Sequence, residues 1–205
     1  MNPTRPLAAL LVFACFASAS GVGGCMSTLE WMGGSGGPLQ AVSANGTAAF
    51  APGVLTGVYK PIDENSADVY LTDLPLDRLA NTKDAMSDLS GTIVHVHLFL
   101  VPSAGDTPVD STACNAAARM VVFSGGAVGL YAGGGFLFPT DVPGGATYDG
   151  RIRNATLRLG QATADFADKL GPTVLTGALS ATRDEGAAAV IAGRLASVAN
   201  TLARR

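Results

Sequence analysis

The clearest alternation of apolar and polar positions lies at Ala67–Leu74, where Val69 and Leu71 face one way and Asp68, Tyr70 and Thr72 the other. A period of two marks a strand. With the strand-like segment Gly53–Lys60 before it and turn residues over Pro61–Asn65, it predicts an antiparallel hairpin with one wet face. Thr92–Val101 (TIVHVHLFLV) is apolar on both faces and rich in β-branched residues, which predicts a central strand covered on both sides. Ala116–Phe123, Ala127–Ala132 and Phe136–Pro139 follow as short strands separated by Gly125-Gly126 and Gly133-Gly134-Gly135, and Tyr148–Gly160 and Val174–Ala181 complete the set.

Helical signals are fewer. Thr163–Leu170 predicts a two-turn helix, with Thr163 as N-cap, Gly171 just past its end and Pro172 beyond. Thr182 and Glu185 have the spacing of a capping box for a helix through Leu202. Its apolar seam is Ala188, Ile191, Leu195, Val198 and Leu202, too short for a coiled coil and so expected to lie on the sheet. Leu76–Leu89 is a short helix or a loop, and Pro102–Thr112 a long loop. The class is α+β, mainly β: an antiparallel β-sandwich or partly open barrel of roughly seven to nine strands, with the C-terminal helix packed on it, spanning residues 48–205 as one domain.

The first 47 residues are of another kind. Arg5 precedes an apolar run, Leu7–Ala17, and then small residues, Ser18–Gly24. A membrane span needs about 20 apolar residues, so this run fits the core of a secretory signal instead. The segment Val22-Gly23-Gly24-Cys25 resembles the lipobox of bacterial lipoproteins. In that family the cysteine is acylated and becomes the new N-terminus. The resemblance implies a signal peptide over residues 1–24, a covalent lipid with fatty acyl chains such as palmitate on Cys25, and an envelope protein anchored to a membrane and facing the periplasm or exterior. Ala17-Ser18-Ala19 also fits an ordinary cleavage site, which would release a secreted chain beginning at Ser20. Residues 25–47, with Gly33-Gly34-Ser35-Gly36-Gly37-Pro38, then form the lipidated cysteine and a flexible tether. Trp31 and Met32 rest at the lipid surface or pack on the domain.

Composition narrows the partners. The formal charge of the 205-residue chain is −3, which argues against nucleic acid and against electrostatic adhesion to anionic lipid. Its 26 glycines follow no repeat and read as tight turns.

The two histidines, His95 and His97, sit two apart on the strongest strand, so both rings face the same way about 7 Å apart. Neutral imidazoles are common metal ligands. A third ligand would come from Asp68, Asp73, Asp106, Asp110 or Cys114; without one, the pair are half-buried neutral histidines satisfied by cross-strand groups. Cys114 is expected to be buried and inert if Cys25 carries lipid, or to bridge to Cys25 if cleavage follows Ala19. The glycine run SGGAVGLYAGGGF matches no phosphate-binding loop, and no nucleophile elbow is present. Asp106 and Asp110 share a loop that offers oxygens to calcium, Asp165 and Asp168 pair on the short helix, and Asp165, Asp184 and Glu185 are placed as helix-start acids.

Two functions fit these signals. One is a membrane-anchored, non-enzymatic binding or structural module, presenting Tyr131, Phe136 and Phe138 to an envelope protein or small ligand, with no cofactor beyond its lipid. The other is a metal-binding or redox protein organised on His95 and His97.

Overall fold

A computed structural model describes residues 37–81, 86–102 and 114–204. They fall in one compact unit, Ser35–Arg205. The signal segment, Cys25, Trp31 and the loop with Asp106 and Asp110 lie outside the described residues.

The chain forms β1 (Gln40–Ser43), β2 (Ala49–Phe50), β3 (Thr56–Pro61), β4 (Ala67–Thr72), α1 (Leu76–Ala80), a 3-10 turn at Met86–Asp88, β5 (Gly91–Leu98), β6 (Ala116–Ser124), β7 (Ala127–Pro139), β8 (Thr147–Ala162), β9 (Thr173–Arg183) and α2 (Glu185–Ala203). The sheet order is β2-β1-β9-β3-β4-β5-β6-β7-β8, and β8 also pairs with β9. Strands β3 to β9 therefore close into a ring. All its neighbours are antiparallel except the closing pair, where β3 meets β9 in parallel through Val58–Thr182 and Tyr59–Arg183. β1 extends the sheet beside the first half of β9, from Gln40–Thr176 to Ser43–Thr173.

The mainly β class with a C-terminal helix on the sheet is as the patterning predicts. Alternation along each strand divides the core in two. Inward residues, among them Tyr59, Leu71, Val96, Met120, Tyr131, Tyr148, Leu157 and Leu175, fill the ring as one buried cluster. Outward residues Val58, Tyr70, Ile93, Val121, Val128 and Leu130 form a second cluster with α1 and with the whole α2 seam of Ala188, Ile191, Leu195, Val198 and Leu202. By length and mean hydropathy (1.3) α2 matches a membrane span. Its buried stripe, which includes Arg194, is that of a helix docked on a sheet.

Several local expectations give way to tertiary contacts. Ala127–Pro139 is one strand, because its glycines sit within the ladder rather than at turns; a Cβ at Gly133 would lie 1.8 Å from the Thr156 carbonyl oxygen, so glycine allows β8 to approach. No helix forms over 163–170. Thr163 Oγ1 accepts the Val128 N–H at 3.0 Å, and Phe166 and Leu170 pack against the ring interior, an apolar gain that outweighs two turns of weak helix propensity. The N-cap of α2 is Asp184, accepting the Ala187 N–H at 2.9 Å, while Thr182 belongs to β9. The face of β4 expected to be wet is so only at Asp68: Tyr70 packs in the cluster with α2, and Thr72 is buried. Finally, the segment expected to be tether through residue 47 already contains β1, and Leu39 and Ala41 belong to the inner core.

Closure demands a residue without a side chain where β3 crosses β9. A Cβ at Gly57 would stand 2.4 Å from the Ser180 carbonyl oxygen. Gly57→Ala is therefore expected to destabilise the fold by about 2 kcal/mol, lowering the melting temperature by roughly 4–8 °C in thermal unfolding followed by circular dichroism. An unchanged melting temperature would mean that β3 does not approach β9 this closely.

Candidate functional site

Two features are built into this frame, one on the outer face of the ring and one at an end of it.

The outer feature follows from register. β4 and β5 turn Val69, Leu71, Val94, Val96 and Leu98 inward, so Asp68, Tyr70, His95 and His97 face out. Asp68 lies opposite His97 and Tyr70 opposite His95. Helix α2 covers Tyr70 and Ile93, and the second apolar cluster stops short of Asp68, His95 and His97. His95 Nε2 is 2.8 Å and His97 Nδ1 2.9 Å from the same oxygen, Asp68 Oδ1. Side-chain exposure rises from 13% at His95 to 38% at His97, with Asp68 at 22%.

Of the five candidate third partners, the fold thus brings in Asp68. Asp73 is engaged at the other end of the hairpin, accepting the Thr92 N–H at 2.6 Å. Cys114 is exposed rather than buried. It sits over the glycine run of β7, 3.5 Å from where a Cβ at Gly134 would be. Asp106 and Asp110 lie outside the described residues.

The chemistry of the trio is set by the carboxylate. Half-burial pushes the Asp68 carboxyl up, but the hydrogen bonds from His95 and His97, and the attraction of each ring when charged, hold it below its ordinary range. An ionised carboxylate can only accept, so each ring nitrogen facing it carries a proton. His97 is left with Nε2 toward solvent. His95 is left with Nδ1 buried and without a hydrogen-bond partner among the described residues, a position that costs least as a bare lone pair. Tyr70 stacks on the His95 ring at 4.6 Å and 9°, setting its plane. Burial, then the Asp68 charge, pushes the Tyr70 phenol up to about 12 against the opposing pull of Arg119, so it stays neutral.

The second feature is a cavity of about 660 Å³ at the end of the ring where the β6–β7 turn, the β1–β2 turn and the 163–172 segment meet. Its apolar wall is Phe50, Val122, Tyr131, Phe166 and Leu170, and its rim carries Thr47, Ser124, Asp165 and Lys169. Phe166 meets Tyr131 edge to face at 6.2 Å and rests on Gly129, where a Cβ would lie 2.4 Å from its ring. The Tyr131 hydroxyl donates to Asp168 at 2.6 Å, and Asp168 also accepts the Gly171 N–H at 2.8 Å, which pins the segment across the mouth. Asp165 and Asp168 are thus loop residues, and Asp165 is not a helix-start acid.

The three aromatics expected on one surface separate. Tyr131 is 1% exposed and points into the ring, because it falls on the inward phase of β7. Phe136 and Phe138 are half-buried and stack at 5.9 Å, with the Arg153 guanidinium 5.2 Å from the Phe138 ring. Sequence reasoning missed the mouth because its lining comes from three separated stretches of chain. The available signal was the run of apolar residues Phe166 and Leu170 beside Asp168.

Compared with protein-family models, with curated proteins and with solved structures, the chain matches none.

Asp68 supplies a test by linkage. Its folded carboxyl titrates below its unfolded value, so its stabilising effect is fully present above about pH 4 and fades as pH falls through the lower folded value. Asp68→Asn should destabilise the protein by about 1–2 kcal/mol at pH 7, and urea titrations should show the gap narrowing as pH is lowered below 4. A gap independent of pH over that range would contradict the ionised, doubly bonded carboxylate.

Proposed function

We propose that this chain is an exported envelope protein, anchored through a lipid on Cys25, whose ring binds a small and largely apolar ligand in its mouth. The observation that carries this reading is the cavity of about 660 Å³ with an aromatic wall and a rim bearing Lys169 and Asp165. That volume lies in the range of small-molecule sites, which favour the mouths of β-barrels and combine an apolar wall with a few polar groups. Export and anchoring rest on Arg5, the run Leu7–Ala17 and Val22-Gly23-Gly24-Cys25. Residues 26–36 then serve as the tether. Gly37, whose carbonyl accepts from Ala178 N–H at 2.9 Å, precedes β1, and that strand runs toward the mouth. The ligand would be a molecule with an apolar body that fits between Phe50, Tyr131 and Phe166 and a polar end that reaches the rim.

An apolar fluorescent probe, N-phenylnaphthylamine, should bind the folded protein saturably with one site per chain. Ala127→Trp, which adds an indole to the lining, and Phe50→Ala should each weaken it by about tenfold, equivalent to roughly 1.4 kcal/mol. Binding unaffected by both would remove the mouth as a ligand site. The anchor is tested by the mass of the N-terminal peptide of protein expressed in a bacterial host: a diacylated Cys25 is expected, and a chain starting at Ser20 would replace the anchored protein by a secreted one.

A further inference from the structure

We propose that Asp68, His95 and His97 are the protein ligands of a divalent transition-metal ion, held on the outer face of the ring and independent of the mouth. The donor set is two imidazole nitrogens and one carboxylate oxygen, which suits borderline ions such as Cu²⁺, Ni²⁺ and Zn²⁺ and takes Cu²⁺ most tightly. Backbone register supplies the arrangement before any ion arrives: the two rings leave β5 on one face, and Asp68 stands opposite His97 on the neighbouring strand. Both ring nitrogens already meet one carboxylate oxygen, His95 Nε2 at 2.8 Å and His97 Nδ1 at 2.9 Å from Asp68 Oδ1. The Tyr70 ring fixes His95, and the exposure of His97 leaves a side of the site open to water.

Among the described residues no group of three His, Cys, Asp or Glu is already set to hold a metal ion, and here the two ring nitrogens each hydrogen-bond the one carboxylate oxygen. Ligands on bonds of about 2.0–2.1 Å around a tetrahedral ion stand roughly 3.3 Å apart. On such an ion each nitrogen–oxygen distance has to open by about half an ångström. The proton balance is internal. On binding, each ring frees the nitrogen that faced Asp68 and carries its proton on the other one. His97 passes it to Nε2 in water. His95 passes it to Nδ1, which is buried with no acceptor among the described residues, so the site binds less tightly than a closed metal centre. Arg119, opposite His95, and Lys60, opposite Asp68, add positive charge on either side, and both are exposed, so solvent screens them.

Isothermal titration of the full chain with CuCl₂, NiCl₂ and ZnCl₂, in a Cys114→Ser background that removes the exposed thiol, should give one site per chain with Cu²⁺ tightest. Copper electron paramagnetic resonance should show coupling to imidazole nitrogen. His97→Gln and Asp68→Asn should each weaken binding by about 10- to 100-fold, and His95→Gln combined with His97→Gln should abolish the site. If the double variant fails to fold by circular dichroism, His97→Gln alone decides, because its ring is the most exposed of the three. No saturable binding, or binding and nitrogen coupling unchanged in these variants, would overturn the proposal. Probe binding at the mouth should be the same with and without metal, which keeps the two sites separately testable.

Discussion

The parallel contact of β3 with β9 is the interaction on which the rest of the structure depends. Only two residue pairs make the ladder, Val58–Thr182 and Tyr59–Arg183, but neighbouring groups reinforce it. Asp184 N–H donates to the Tyr59 carbonyl at 3.2 Å, Arg183 N–H to the Ala146 carbonyl at 2.8 Å, and the Tyr59 hydroxyl to the Gly145 carbonyl. Tyr59 also stacks on Tyr148 at 5.1 Å, inside the ring. Burial, with Tyr59 and Asp141 adding to it, pushes the Tyr148 phenol up to about 12, so Tyr148 adds no charge to the interior. A sheet whose first and last ring strands are joined removes two exposed edges and encloses a core that an open sheet of the same length would leave half wet.

The same contact positions everything outside the ring. Arg183 is the last residue of β9, Asp184 is the N-cap of α2, and Glu185 begins the helix. Where the closing strand ends therefore fixes where the helix starts, and its seam falls on the outward residues of β3 to β7. That coverage ends before Asp68, His95 and His97. These ionisable groups are thereby kept within reach of water, while Tyr70 and Ile93 on the same strands are buried. At the mouth, the ring needs a cover for its interior, and Phe166 and Leu170 provide it by abandoning a helix.

Much of the ring was legible from the chain because period-two patterning survives wherever one face differs from the other. β4, β5, β6 and β8 stand within a few residues of their expected positions, and every residue of the α2 seam is buried. The alternation at Ala67–Leu74 placed Asp68 on a separate face from Val69 and Leu71, and the pair His95 and His97 on one side of β5. Local pattern does not carry register, so it offered Asp68 as one of five partners and could not choose among them. It failed also where distant atoms decide: Thr163 serves Val128 rather than a helix, Tyr131 turns inward, and Leu39 and Ala41 join the core from within a glycine-rich leader. Ring closure itself has no local signal, since Gly57 looks like any other glycine until Ser180 is beside it.

Closure is most directly measured by amide hydrogen exchange resolved by residue. In a closed ring the Asp184 amide, bonded to Tyr59, and the amides of β3 facing β9 exchange as slowly as those between β4 and β5, because both open only with the whole fold. Fast exchange at Asp184 and on that edge of β3, with β4 and β5 still protected, would show an open sheet and contradict the enclosed core and the mouth together.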